Sequence, residues 1–127
     1  MKIDHFAIYV SDLAAARDFF VTFFGARSND GYQNPRTGLR TFFLTFEDGN
    51  RLELMTRPEM TDAPKTPFRM GWAHLAFNVG SRERVNALTA RLADAGFEVL
   101  SGPRQTGDGY YESCVSGPEG NLIEIVG

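Results

Sequence analysis

Cysteine is almost absent from this chain of 127 residues: Cys114 stands alone, which excludes an internal disulfide and fits a reducing compartment. Its neighbours alternate, so Cys114 reads as a small apolar residue rather than a nucleophile. No apolar run approaches the ~18 residues of a membrane span, so no membrane partner is expected. Positive charge is not in excess. The net charge is −3 and the arginines are scattered, which excludes an electrostatic case for nucleic acid. Low-complexity tails and charge blocks are missing too. The N-terminus enters a strand-like segment with no signal peptide, and a cytoplasmic location is expected. Histidine is scarce as well, with only His5 and His74. What remains is ordinary for a globular protein, and the length suits one compact domain over residues 1–127.

The two histidines occupy equivalent places in an internal repeat. Gly49-Asn50-Arg51-Leu52-Glu53-Leu54 returns as Gly120-Asn121-Leu122-Ile123-Glu124-Ile125, an offset of 71 residues. Upstream of the first copy lies Asp4-His5-Phe6-Ala7-Ile8, and upstream of the second Ala73-His74-Leu75-Ala76-Phe77. Each half therefore supplies one imidazole and one carboxylate.

Both halves read β-α-β-β-β. In the first, a strand over 3–10 precedes a helix capped at Ser11 or Asp12, striped by Leu13, Ala16, Phe20 and Phe23 and ended at Gly25. Strands around 26–32, 39–46 and 51–55 follow, with Asp48-Gly49 as the turn of a hairpin. In the second, a strand over 72–79 leads through Ser81 to a helix striped by Val85, Leu88, Leu92 and Ala95 and ended at Gly96. Strands around 97–101, 110–116 and 121–126 complete it, with Pro118-Glu119-Gly120 as the turn. The first module covers about 1–56 and the second about 72–127. Residues 57–71, with Pro58, Pro64 and Pro67, read as a linker. Its Phe68 and Met70, with Trp72, are expected to pack, a second subunit being one surface for it. Gly107-Asp108-Gly109 before Tyr110 and Tyr111 reads more simply as a hairpin turn than as a mobile rim.

Strand alternation says where the polar residues point. His5, Ala7 and Tyr9 share a face opposite Phe6, Ile8 and Val10, and His74 and Ala76 lie opposite Leu75 and Phe77. Glu53 sits between Leu52 and Leu54, and Glu124 between Ile123 and Ile125. If the bulky apolar faces meet the helices, all four polar side chains face away from them. Ala7 and Ala76 leave room there for a small molecule. His5, Glu53, His74 and Glu124 thus form a candidate metal set. Imidazole plus carboxylate favours Zn²⁺, Ni²⁺, Co²⁺, Fe²⁺ or Mn²⁺ over Ca²⁺ or Mg²⁺. Four ligands on an ion that takes about six leave positions open for a substrate, as a catalytic metal requires.

The duplicated β-α-β-β-β order, the two strand histidines and the two Gly-Asn-x-Leu/Ile-Glu hairpins resemble the vicinal oxygen chelate superfamily. That superfamily includes glyoxalase I, extradiol dioxygenases, methylmalonyl-CoA epimerase and the fosfomycin and bleomycin resistance proteins. The resemblance spans essentially the whole chain. It implies an α+β fold of two paired modules forming a concave mixed sheet around one divalent metal, Ni²⁺ or Zn²⁺ first. Glu53 fills the fourth ligand position, as in glyoxalase I, whereas three-ligand relatives match His5, His74 and Glu124 only. By this resemblance Glu124 removes the proton beside a carbonyl, and Glu53 is its symmetry-related partner, ligand or second base. The implied activity is that of a metal-dependent lyase or isomerase, lactoylglutathione lyase-like, on a small substrate with two vicinal oxygens, in a homodimer. The alternatives are a metal-dependent dioxygenase of the same fold and a non-enzymatic resistance or binding protein. Glyoxalases I typically carry an arginine that holds glutathione four residues past the first histidine; here Tyr9 stands in its place. Arg17, Arg36, Arg40 and Arg69 could contribute from elsewhere in the chain.

Overall fold

The computed structural model describes residues 1–127 and divides into two compact units, Met1–Ala63 and Pro64–Gly127. The first unit runs β1 (Phe6–Tyr9), α1 (Leu13–Phe24), β2 (Arg27–Ser28), β3 (Tyr32–Gln33), β4 (Arg40–Thr45) and β5 (Arg51–Thr56). The second runs β6 (His74–Asn78), α2 (Arg82–Asp94), β7 (Val99–Gln105), β8 (Tyr111–Ser116), a 3₁₀ turn (Pro118–Gly120) and β9 (Leu122–Val126). The fold is α+β, and each module builds its own mixed sheet.

In the first sheet the strand order is β1-β5-β4-β2, with β3 also on β4; in the second it is β6-β9-β8-β7. In each, the first strand of the unit pairs parallel with the last, and every other pairing is antiparallel. A parallel pair needs a long crossover, which the helix and intervening strands supply. The helix of each unit packs on that unit's own sheet: α1 on β4 and β5, α2 on β7, β8 and β9.

The helix boundaries follow local chemistry. The Asp12 carboxylate accepts the Ala15 N–H at 2.9 Å, and Gly25 closes α1 at φ 65°, a left-handed conformation that glycine adopts without steric cost. Ser81 Oγ accepts from Arg84 N at 3.3 Å at the start of α2. The apolar stripes meet the sheets with two changes. Phe19 is buried alongside Leu13, Ala16 and Phe20, whereas Phe23 is only half-buried. In α2 the buried residue beside Val85 and Leu92 is Thr89 rather than Leu88, and Ala95 is exposed at the C-cap. Thr89 is admitted because its hydroxyl donates to the Val85 carbonyl at 2.6 Å and pairs with Ser113 Oγ at 2.6 Å.

The strand expected around 26–32 is split into β2 and β3. Asn29 breaks it: its side-chain oxygen accepts from both Gly31 N (3.2 Å) and Phe43 N (2.9 Å), and its N–H donates to the Phe43 carbonyl. An Asn side chain thus stands in for a ladder bond, and Gly31 turns the chain at φ 85°. Strand β7 runs farther than expected, to Gln105, through irregular pairing with β8 between Val99 and Arg104. The Gly107–Gly109 segment is a plain hairpin turn, with Thr106 N donating to the Tyr110 carbonyl at 2.8 Å. Phe68, Met70 and Trp72, expected to pack, are exposed in the single chain.

Candidate metal centre

Strand register sets the site in both units by the same rule. Ala7 pairs with Glu53 across β1 and β5, and Ala76 pairs with Glu124 across β6 and β9. In each case the histidine lies two residues before that alanine, on the same face. Leu52, Leu54, Ile123 and Ile125 are fully buried on the opposite face, while the Glu53 and Glu124 side chains keep 17% and 20% of their exposure. The carboxylates therefore face away from the helix layer, as alternation requires.

In the first unit His5 Nε2 stands 3.7 Å from a Glu53 oxygen. Its other ring nitrogen, Nδ1, meets Asp4 Oδ2 at 2.8 Å, and Arg51 holds the same Asp4 oxygen. The contact with His5, followed by the Arg51 charge, keeps the Asp4 carboxyl below its ordinary range. With Nδ1 on the Asp4 carboxylate, Nε2 is the ring nitrogen that faces Glu53, the arrangement found behind metal-ligating histidines. The ring is also held edge-on by Phe43, at 5.2 Å and 82°, with the Arg51 guanidinium over the same ring at 5.1 Å. Sequence reasoning missed Asp4, Arg51 and Phe43. The signal was present, since Phe43 lies opposite Glu53 in the β4–β5 register and Asp4 precedes His5.

The second unit repeats the pair in different surroundings. His74 Nε2 is 3.1 Å from a Glu124 oxygen. Ala73 replaces Asp4 and Leu122 replaces Arg51 at the equivalent positions, so this imidazole has no such carboxylate behind it. Opposite Glu124 on β8 stands Cys114 in place of Phe43, and Glu112 follows on the same face, with Arg104 at 3.6 Å. Burial pushes the Glu124 carboxyl up; His74 pulls it back, Glu112 adds to the rise and Arg104 opposes it. Burial also raises the Cys114 thiol, with Glu124 and Glu112 adding to it, which disfavours the thiolate.

The four sequence-selected residues are thus gathered as two His–Glu pairs, one per unit. No group of three or more His, Cys, Asp or Glu side chains is arranged to hold a metal ion. Each unit offers two donors of the kind that borderline transition metals take, and neither offers a full set alone.

The Asp4 contact carries a prediction. Asp4→Ala should weaken Zn²⁺ or Ni²⁺ binding by about tenfold, the low end of the 10–100-fold cost of losing an outer partner, because Asp4 is well exposed. Competition with a chromophoric chelator measures it; an unchanged affinity would mean that Asp4 does not orient His5.

Comparison with known proteins bears on the family and the fold. The family model described as Glyoxalase/Bleomycin resistance protein/Dioxygenase superfamily matches residues 2–125. The chain belongs to this superfamily. It is 30% identical to the uncharacterized protein YqjT of Bacillus subtilis (strain 168), over 96% of this chain and 95% of that protein. A possible glyoxalase from Bacillus cereus superposes with a TM-score of 0.72 at 28% identity, over 100% of this chain and 99% of that one. The fosfomycin resistance protein FosX of Listeria monocytogenes, solved with Mn(II) and sulfate, shares the fold. Its TM-score is 0.72 at 17% identity, over 98% of this chain and 90% of that one. Members of this superfamily include lactoylglutathione lyases and fosfomycin resistance enzymes, and they take small-molecule substrates. No helix of this member is long and apolar enough to cross a membrane.

Proposed function

We propose that this superfamily member is a metal-dependent lyase or isomerase of glyoxalase type, acting on a small substrate that presents two neighbouring oxygens. The observation that carries the reading is the duplicated His–Glu pair, each set in the same register against an alanine. His5, Glu53, His74 and Glu124 are the donors that would hold the ion, Zn²⁺ or Ni²⁺ first, with Mn²⁺, Co²⁺ and Fe²⁺ also accepted by such a set. When bound, a divalent ion supplies Lewis acidity, polarising the substrate oxygens and stabilising the charge that develops on them. FosX, solved with Mn(II), shows that the fold accommodates a divalent ion in a relative.

The chain's own residues would divide the work. Asp4 holds His5 so that Nε2 faces Glu53. Ala7 and Ala76 keep the space beside the carboxylates clear. Glu124, whose carboxyl burial pushes up, would take the proton from the carbon beside the carbonyl and return it to the neighbouring carbon. Glu53 is the symmetry-related donor. Pairing of two copies into a homodimer would complete the assembly.

The test is turnover of 2-oxoaldehyde–thiol adducts by metal-loaded protein with and without oxygen. The lyase reading predicts equal rates under air and argon. A rate that vanishes under argon, with oxygen consumed in air, would establish the dioxygenase alternative instead.

A further inference from the structure

The two His–Glu pairs share a register but not their surroundings, and the difference centres on one cation. In the first unit Arg51, Asp4, His5 and Phe43 close a loop of contacts. Arg51 holds Asp4 Oδ2, and the same oxygen meets His5 Nδ1 at 2.8 Å. The His5 ring stands edge-on to Phe43 at 5.2 Å, and the Arg51 guanidinium lies over that Phe43 ring at 5.1 Å. Strand order explains the loop. Arg51 opens β5, in phase with Glu53, and β5 lies between β1 and β4. On one side Asp4 and His5 lead into β1; on the other Phe43 of β4 stands opposite Glu53. Each side chain of the loop is held at two points, so the imidazole cannot turn without breaking a contact.

The second unit lacks these supports. Ala73 stands where the first unit has Asp4, Leu122 where it has Arg51, and Cys114 where it has Phe43. The side chains of Ala73 and Leu122 carry no polar atom, and Cys114 carries no ring. His74 Nε2 meets Glu124 at 3.1 Å, within hydrogen-bond reach, whereas His5 Nε2 stays 3.7 Å from Glu53, beyond it. The Glu124 contact therefore competes with an ion for the His74 nitrogen, and no equal contact does so at His5.

We propose that Arg51 is a positioning residue: acting through Asp4, it sets the His5 ring and makes the first pair the stronger half of the metal set. That the set takes a metal rests on the function proposed above; the setting of the ring does not. Stability is not what the contact supplies. The Arg51 and Asp4 side chains are 37% and 65% exposed, and an ion pair so open to water adds little to folding. Its geometry serves orientation instead. A guanidinium bonds a carboxylate through its edge while its face lies on an aromatic ring, and a lysine ammonium has no such plane. Outer partners that orient a ligating histidine are typically worth about 10–100-fold in metal affinity.

The test reads the imidazole nitrogens of the full-length, chelator-stripped protein by ¹⁵N NMR at pH 8, then Ni²⁺ affinity by chelator competition. In the stripped wild type His5 should be a single tautomer with its proton on Nδ1, and His74 a mixture. Arg51→Met keeps the stem and loses the charge. It should move His5 toward a mixture and weaken Ni²⁺ by up to about tenfold. Asp4→Ala with Arg51→Met should bind Ni²⁺ no more weakly than Asp4→Ala alone, the non-additivity of residues that act through one contact. A chain that keeps only His5 and Glu53 (His74→Ala, Glu124→Ala) should bind Ni²⁺ about tenfold more tightly than one that keeps only His74 and Glu124 (His5→Ala, Glu53→Ala). Urea midpoints establish that each variant folds. A His5 ring unmoved by Arg51→Met, additive losses in the double variant, or equal affinities of the two half sets would overturn the proposal. Should the ring respond to Arg51→Met in a protein that retains no Ni²⁺, Arg51 keeps its role on His5 and the metal reading falls.

Discussion

Glu124→Gln should lower the kcat of the metal-loaded protein by roughly 10²–10⁴-fold, the usual worth of a positioned general base. Glutamine keeps the shape and an oxygen donor but cannot accept the substrate proton. Because Glu124 is also a proposed metal donor, the rates are compared at equal metal content, verified by elemental analysis. A variant that keeps wild-type kcat at full loading would remove Glu124 from the reaction. The same substitution should have the opposite sign on stability without metal. Burial holds the folded carboxyl above its unfolded pKa. Such a group favours the folded state fully only below its unfolded pKa, and that contribution is lost as pH rises through the folded value. In chelator at pH 8, Glu124→Gln should therefore melt above wild type. The gap should close as the pH falls below the carboxylate range, where the wild-type side chain is neutral too. A site that gives up stability to hold an ionised carboxylate fits a group kept for function.

The second large effect belongs to the core of the first unit. Phe20→Ala should cost about 3–5 kcal/mol, a large share of the 5–15 kcal/mol that holds a domain of this size. Phe20 is 1% exposed and meets Phe19, Phe24 and Phe46 ring against ring, at centroid distances of 5.1, 5.9 and 6.3 Å. Truncation removes the side chain from a cluster too stiff to collapse onto the gap. Val21→Ala, one residue along and on the exposed side of α1, should change stability by no more than about 0.5 kcal/mol. Urea unfolding of both variants measures the contrast. Equal midpoints would mean that α1 does not stabilise the sheet through this ring cluster.

Much of this architecture was legible in the sequence because duplication doubled every signal. The His-x-Ala strand and the Gly-Asn-x-Leu/Ile-Glu hairpin each occur twice, and alternation alone turned Glu53 and Glu124 away from the buried Leu52, Leu54, Ile123 and Ile125. Deviations arose where a single side chain overrode a pattern. Asn29 replaced ladder bonds and split one strand, an effect periodicity cannot register. Thr89 entered the core because Ser113, distant in sequence, answers its hydroxyl. The surroundings of the two pairs were also out of reach. That Asp4 and Arg51 brace His5, while Arg104, Glu112 and Cys114 surround Glu124, depends on cross-strand register rather than local spacing.

That His5, Glu53, His74 and Glu124 together hold one divalent ion is the proposal on which the function rests. Titration of chelator-stripped protein with Ni²⁺ and Zn²⁺, read by elemental analysis after gel filtration, tests it most directly. One ion per chain is expected in the wild type, and none retained once His5 and His74 are both replaced by alanine. Wild-type protein that retains neither ion, or a double variant that still holds one per chain, would contradict it.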